Sequence, residues 1–185
     1  IFMIANSSEE ALIGQIRSGD ENAMRLMYSR YIRYLTAVCS RYISNDEDIR
    51  DTLQNTFLNA FSSLDAYEFR GEGSLKAWLS RILLNEIIKF EKQNQKYDFI
   101  ELDSTTMDTP DEDPDSMSVP PDVIYQMIRE LPDGYRTIFN LYVIEEKSHR
   151  EIAQLLGIKE SSSASQLHRA KAMLAEKIRE YKTEY

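Results

Sequence analysis

Apolar residues recur at three- and four-residue spacing along most of the chain, a pattern that predicts helices. After Ser7-Ser8 a short amphipathic helix runs to Gly19, and a second starts at Asp20 with Met24, Met27, Tyr31, Leu35 and Val38 on one side. Ser44 and Glu47 stand at capping-box spacing. The helix they open puts Ile49, Leu53, Phe57, Ala60, Phe61 and Leu64 on one stripe and polar residues on the other face. The glycine-marked loop "DAYEFRGEGS" then leads into "LKAWLSRILLNEIIKFEKQNQK". That segment is apolar nearly all round in its middle, so it is expected to be the central buried helix, with Trp78 as its core anchor.

The pattern lapses and then resumes. A helix opens at Asp122 after Pro120-Pro121, and Pro132-Asp133-Gly134 breaks it from the next. Ser148 and Glu151 form a second capping-box pair, Ile152, Leu155 and Leu156 supply an apolar stripe, and Gly157 follows where a helix C-cap belongs. Another helix starts three residues later. Helix, short glycine turn, helix is the spacing of a helix-turn-helix, whose second helix enters the DNA major groove. A helical hairpin with no DNA role has the same spacing. The expected fold is all-α: two small helical domains, residues 1–97 and 123–185, joined by a flexible segment, residues 98–122.

Charge separates these parts. The 185-residue chain has a formal charge of -9, which argues against a nucleic-acid partner until it is divided. Residues 1–97 carry 12 basic and 13 acidic side chains, residues 98–122 carry none and 9, and residues 123–185 carry 10 and 9. The whole imbalance lies in "DFIELDSTTMDTPDEDPDSMSVPPD", an acidic, Pro- and Ser-containing linker that lacks the apolar surface to repay ordering. The domains themselves are near neutral.

Other functions fit poorly. There is no phosphate-binding loop, no dinucleotide fingerprint and no Cys/His cluster with metal spacing, so neither an enzyme nor a cofactor is expected. Asp111, Asp113, Asp115 and Asp122 are spaced somewhat like a calcium loop, but Ser116 stands at the turn glycine and Pro120-Pro121 block the exiting helix. No apolar run approaches a membrane span, and the opening residues lack the basic start of a signal peptide, so a cytoplasmic location without membrane insertion is expected. The single Cys39, near an apolar helix face, reads as a buried thiol.

The last helix repays a closer look. At 100° per residue Ser163, Leu167, Ala170 and Leu174 fall together and face the core, while Ser161, Ser165, His168 and Ala172, flanked by Ser162 and Arg169, face away. Solvated faces usually carry Glu and Lys. Small hydroxyl side chains let a helix backbone approach a groove closely and can donate to or accept from base edges.

These residues resemble a known family. "YRTIFNLYVIEEKSHREIAQLLGIKESSSASQLHRAKAML" resembles the promoter-binding region of bacterial sigma factors of the extracytoplasmic-function group. "NDEDIRDTLQNTFLNAF" followed by "FRGEGSLKAWLSRILLNEI" resembles that group's N-terminal core region. The resemblance implies a sigma factor whose partners are core RNA polymerase, promoter DNA and an anti-sigma protein. By position it assigns polymerase binding to Asp48, Asp51, Gln54 and Asn55, the last standing where Glu is usual. It assigns the melted promoter strand to Phe69 and Arg70 with Arg81 and Asn85; Lys89, which stands where Asp is usual, and Lys92 are expected on the same strand, and the outward residues Ser161, Ser162, Ser165, His168 and Arg169, with His149 and Glu160, are expected at the upstream duplex. It also implies that the linker threads the polymerase channel that RNA later fills. The chain departs from the family at Ser161 to Gln166, which lose two common cations, and at Ser163, which replaces a core Val and is expected to bond back to a carbonyl one turn earlier. A helix-turn-helix regulator with a dimerising or sensing first domain is the alternative; a helical adaptor binding protein alone leaves the serine face unexplained.

Overall fold

The computed structural model describes residues 8–93 and 119–184. The chain divides into two compact units, Ile1–Phe90 and Glu91–Tyr185, and the described residues are helices, turns and loops without a strand. Most of the acidic segment expected as a linker, including its calcium-like aspartates up to Asp115, lies outside the described residues.

In the first unit α1 (Glu9–Arg17) starts where the Ser8 hydroxyl accepts from the Ala11 N–H, and Gly19, at φ +86°, turns the chain after its end. The Asp20 carboxylate then accepts from the N–H groups of Asn22 and Ala23 to open α2 (Glu21–Cys39). Met27, Tyr31, Leu35 and Val38 are buried as their spacing requires, Ala23 takes the inner position expected of Met24, and Cys39 is wholly buried. The start of α3 (Asp46–Ser63) differs from the capping pair expected of Ser44 and Glu47. Asn45 is the cap: its side-chain oxygen accepts from the N–H groups of Glu47 and Asp48, and an Asn amide serves there as well as a Ser hydroxyl. Ile49, Leu53, Phe57 and Ala60 are buried along α3, and Leu64 continues them in a short 3-10 turn, Leu64–Ala66; Phe61 is half-buried.

The central helix, α4 (Ser74–Gln93), buries a single stripe, with Leu75, Leu79, Leu83 and Ile87 all at 0% exposure. Trp78 is not its anchor. One residue from Leu79, it lies beside the stripe rather than on it, half-buried with its ring 4.7 Å from that of Tyr67.

The second unit opens with α5 (Pro121–Arg129), one residue earlier than expected, because Pro fits the first helical position where an N–H has no partner to lose. The turn into α6 (Asp133–Phe139) is closed by Arg136. Its guanidinium donates to the carbonyls of Arg129 (2.8 Å) and Leu131 (3.2 Å) and pairs with Asp133. A π-helical turn, Asn140–Ile144, follows, in which the Glu145 N–H reaches back to the Asn140 carbonyl and Tyr142, Val143 and Ile144 are left exposed. Next come α7 (His149–Leu156) and α8 (Glu160–Glu184), separated by Gly157 at φ +73°. Ile152 and Leu156 of α7, Leu167 of α8, and Ile138 and Leu141 before them are buried, and Ala170, Leu174 and Ile178 of α8 share one apolar cluster with Met127 and Leu131.

The left-handed conformation at Gly157 costs an L-residue about 1–2 kcal/mol. Gly157→Ala should lower stability by about that amount in urea unfolding followed by circular dichroism; an unchanged midpoint would show that another backbone path joins α7 to α8.

Candidate nucleic-acid interface

Three surfaces carry the residues singled out by the sequence. The first is the outer face of α3, where Asp51, Gln54 and Asn55 are exposed and Asp48, one turn earlier, is half-buried. Inward positions are taken by Ile49, Leu53 and Phe57, so these polar groups have no packing role. The same face holds an apolar residue that pattern reading passed over: Leu58, seven positions after Asp51, is 58% exposed. A leucine at helical spacing reads as core unless the stripe is already complete, and here it is. Tyr28 on α2, with its ring 4.7 Å from buried Phe57, is exposed as well.

The second surface is the loop from Tyr67 to Gly73 with the outer side of α4. Gly71 and Gly73 have φ of +101° and +90°. Ser74 organises the loop from its far end: its hydroxyl lies 2.7 Å from that of Tyr67, donates to the Gly71 carbonyl (2.6 Å) and accepts from the Arg70 N–H (3.2 Å). The Arg70 side chain is exposed and paired only loosely with Glu68 at 3.5 Å, a contact worth little in water. Phe69 is half-buried beside it. Along α4, Arg81, Asn85, Lys89 and Lys92 are all exposed and fall within one side of the helix. Lys89 is 3.8 Å from Glu86, which also accepts from the Asn59 amide. Trp78 shares that side, so the residue expected in the core stands instead beside the loop, its ring tilted against that of Tyr67.

The third surface is the helix pair α7 and α8. Both halves of the Ser148/Glu151 capping box are made: the Ser148 N–H donates to the Glu151 carboxylate at 2.8 Å and the Glu151 N–H to the Ser148 hydroxyl at 3.3 Å. The hydroxyl and then the backbone N–H of Ser148 hold the Glu151 carboxyl below its ordinary range. Glu160, Ser161 and Ala164 are exposed at the start of α8; Ser162, Ser165, His168 and Arg169 are half-buried. The Ser165 hydroxyl donates to the Ser162 carbonyl at 3.2 Å, which uses its proton and leaves its oxygen able to accept.

One residue, Ser163, behaves differently from expectation, and its partner is His149. Ser163 is fully buried, but its hydroxyl is 3.0 Å from Nδ1 of His149 rather than bonded to a carbonyl one turn earlier. His149, expected at the DNA, also stacks on Tyr142, with ring centroids 4.6 Å apart. It therefore ties the π-helical turn, the start of α7 and the core side of α8 together. Among the described residues no group of three or more His, Cys, Asp or Glu side chains is arranged to hold a metal ion, and no helix is long and apolar enough to cross a membrane.

Residues 27–97 match the family model described as sigma-70 region 2, and residues 122–174 match sigma-70, region 4. The chain is 30% identical to RNA polymerase sigma factor YlaC of Bacillus subtilis over 85% of its own length and 91% of that protein. It is 26% identical to the ECF RNA polymerase sigma-E factor of Haemophilus influenzae, over 95% of this chain and 98% of the relative. A solved structure of CnrH in complex with the cytosolic domain of CnrY is similar at a TM-score of 0.48 and 24% identity, over 94% of this chain and 98% of that one.

The capping box ties the stability of α7 to pH. Because the Glu151 carboxyl is held below its ordinary range when folded, its contribution is whole above the unfolded value of about 4.3 and is lost as pH falls through the folded one. Glu151→Ala should melt below wild type at neutral pH, and the gap should narrow as pH is lowered toward 3; a gap that stays constant would mean the carboxylate's charge does not stabilise the cap.

Proposed function

The chain belongs to the sigma-70 family, in its extracytoplasmic-function group, and is a sigma factor that directs transcription initiation; from this we infer how the labour is divided. The first unit binds core RNA polymerase through Asp48, Asp51, Gln54 and Asn55, and holds the melted promoter strand through Phe69 and Arg70 of the loop with Arg81, Asn85, Lys89 and Lys92 of α4. The second unit reads the upstream duplex with the first turns of α8. The observation that carries this reading is the exposed line of two lysines, an arginine and an asparagine on α4, running beside a loop that offers an aromatic ring and a guanidinium. Unpaired bases are held by stacking and by hydrogen bonds along a basic track, and this side of α4 supplies each element.

In the first turns of α8 the exposed groups beyond Glu160 are small. Ser161 and Ala164 allow close approach to a groove, a methyl group such as that of Ala164 suits a thymine methyl, and the Ser165 oxygen can accept from a base amino group. His149, held by Tyr142 and Ser163, serves the interface by fixing the angle between α7 and α8. The protein catalyses no covalent step and needs no cofactor; it acts in the cytoplasm, where the polymerase and promoter are. An anti-sigma protein is a further partner, supported by the exposed apolar groups Leu58, Tyr142, Val143 and Ile144, which a protein partner would cover.

Run-off transcription with purified core enzyme, with and without the protein, is the direct test of the activity. Two variant sets test the assignments. Replacing Asp51 and Gln54 together by Ala should abolish core binding while leaving stability within about 0.5 kcal/mol, as for other surface changes; loss of folding would make these groups structural. Ser165→Ala should change base preference at one or two upstream pairs, worth about 1–3 kcal/mol per lost contact, whereas Arg169→Ala should weaken all sequences alike. Identical outcomes from a promoter-sequence selection with wild type and Ser165→Ala would remove Ser165 from base reading.

A further inference from the structure

The loop between α3 and α4 is gripped at both ends by α1. Glu9 and Arg17 are the first and last residues of that helix, about 12 Å apart along its axis at 1.5 Å per residue. The Arg17 guanidinium donates to the carbonyls of Leu64 (3.0 Å), Asp65 (3.4 Å) and Tyr67, where the chain leaves α3 and enters the loop. At the other end the Glu9 carboxylate accepts from the N–H groups of Gly73 (2.9 Å) and Leu75 (3.1 Å), where the loop becomes α4. Its second oxygen accepts from the Tyr31 hydroxyl at 2.7 Å, and the Glu9 N–H in turn donates to the Glu72 carboxylate at 3.0 Å. Glu9 is 5% exposed.

A local side chain could cap α4, as Ser8, Asp20 and Asn45 cap the helices before it. Instead a buried carboxylate from more than sixty residues away does so. Each of these two helix starts thus receives a carboxylate from the other's side, which satisfies N–H groups that neither segment pairs internally. A loop holding Gly71 and Gly73 at positive φ has little stiffness of its own. Phe69 and Arg70 lie between the two anchors, so any fraying at either end moves both.

We propose that Glu9 and Arg17 are positioning residues for capture of the unpaired promoter strand, holding the loop in its binding shape before DNA arrives. This rests on the reading that Phe69 and Arg70 contact that strand. Apparent affinity scales with the fraction of molecules already in the competent shape, so releasing an anchor weakens strand binding without touching a DNA contact.

The test uses the full chain bound to core polymerase. Its probe is a labelled single-stranded DNA oligonucleotide selected from a random pool by the wild-type complex. Glu9→Gln and Arg17→Lys should each weaken the oligonucleotide about ten-fold, the scale expected when charge-assisted hydrogen bonds are lost, while affinity for core polymerase is unchanged. The effect of Glu9→Gln should be much smaller in a Phe69→Ala background. In the free chain the single tryptophan, Trp78, packed against Tyr67, should become more open to acrylamide quenching in both variants. Normal oligonucleotide affinity in variants whose Trp78 is more readily quenched, with Phe69→Ala still weakening the probe, overturns the proposal. If Phe69→Ala and Arg70→Ala leave the probe unaffected, the loop is not the strand site, and the proposal falls with that reading. Should Glu9→Gln also lose core binding, Glu72→Ala decides: exposed and bonded to the Glu9 N–H, it should weaken the probe about three-fold by the same loss of competent fraction, and no change would overturn the idea.

Discussion

A helix leaves its first N–H groups without partners, and in this chain the way those groups are satisfied decides where the proposed binding side chains stand. Asn45 starts α3 and so sets which side of it turns Asp51 and Gln54 outward. Ser148 and Glu151 start α7, and eight residues of helix then end at a left-handed glycine that re-aims the backbone into α8. At α4 the same requirement is met from a distance, by Glu9. Apolar burial holds each unit together without direction of its own, whereas hydrogen bonds at helix starts are directional and fix where each helix begins.

That difference explains what could be read in advance. Helices, their order and most core positions follow from spacing, because Leu35, Leu53, Leu83, Leu167 and Leu174 are inside for a reason that each local sequence displays. Local caps are legible to within a residue, as the shift from Ser44 to Asn45 illustrates. Contacts joining distant segments are not. Nothing near Glu9 announces that it will cap a helix beginning at Ser74, and nothing near Ser163 announces His149 as the partner of its hydroxyl. Trp78 was misplaced for a related reason: in a segment apolar nearly all round, composition alone does not say which side is buried, and four residues spaced by four outweigh one large ring.

The exposed faces also differ in chemistry from what polarity alone suggests. Leu58 stands exposed among Asp51, Gln54 and Asn55, so the outer side of α3 mixes apolar and polar groups at close range. The π-helical turn does the same in the second unit. Its wider winding pushes Tyr142, Val143 and Ile144 outward while Asn140 and Leu141 stay buried, and π-turns of this kind are frequent at functional sites.

The one sulfhydryl has a consequence for how this chain can be informed of its surroundings. Cys39 is the only cysteine in the sequence; it has no exposed surface, and burial pushes its thiol up to about 12. Oxidants and electrophiles attack the thiolate, and only where they can reach it. In the folded chain the Cys39 thiol is therefore closed to oxidants and electrophiles, and cysteine chemistry at this position has to wait until the helices around it open.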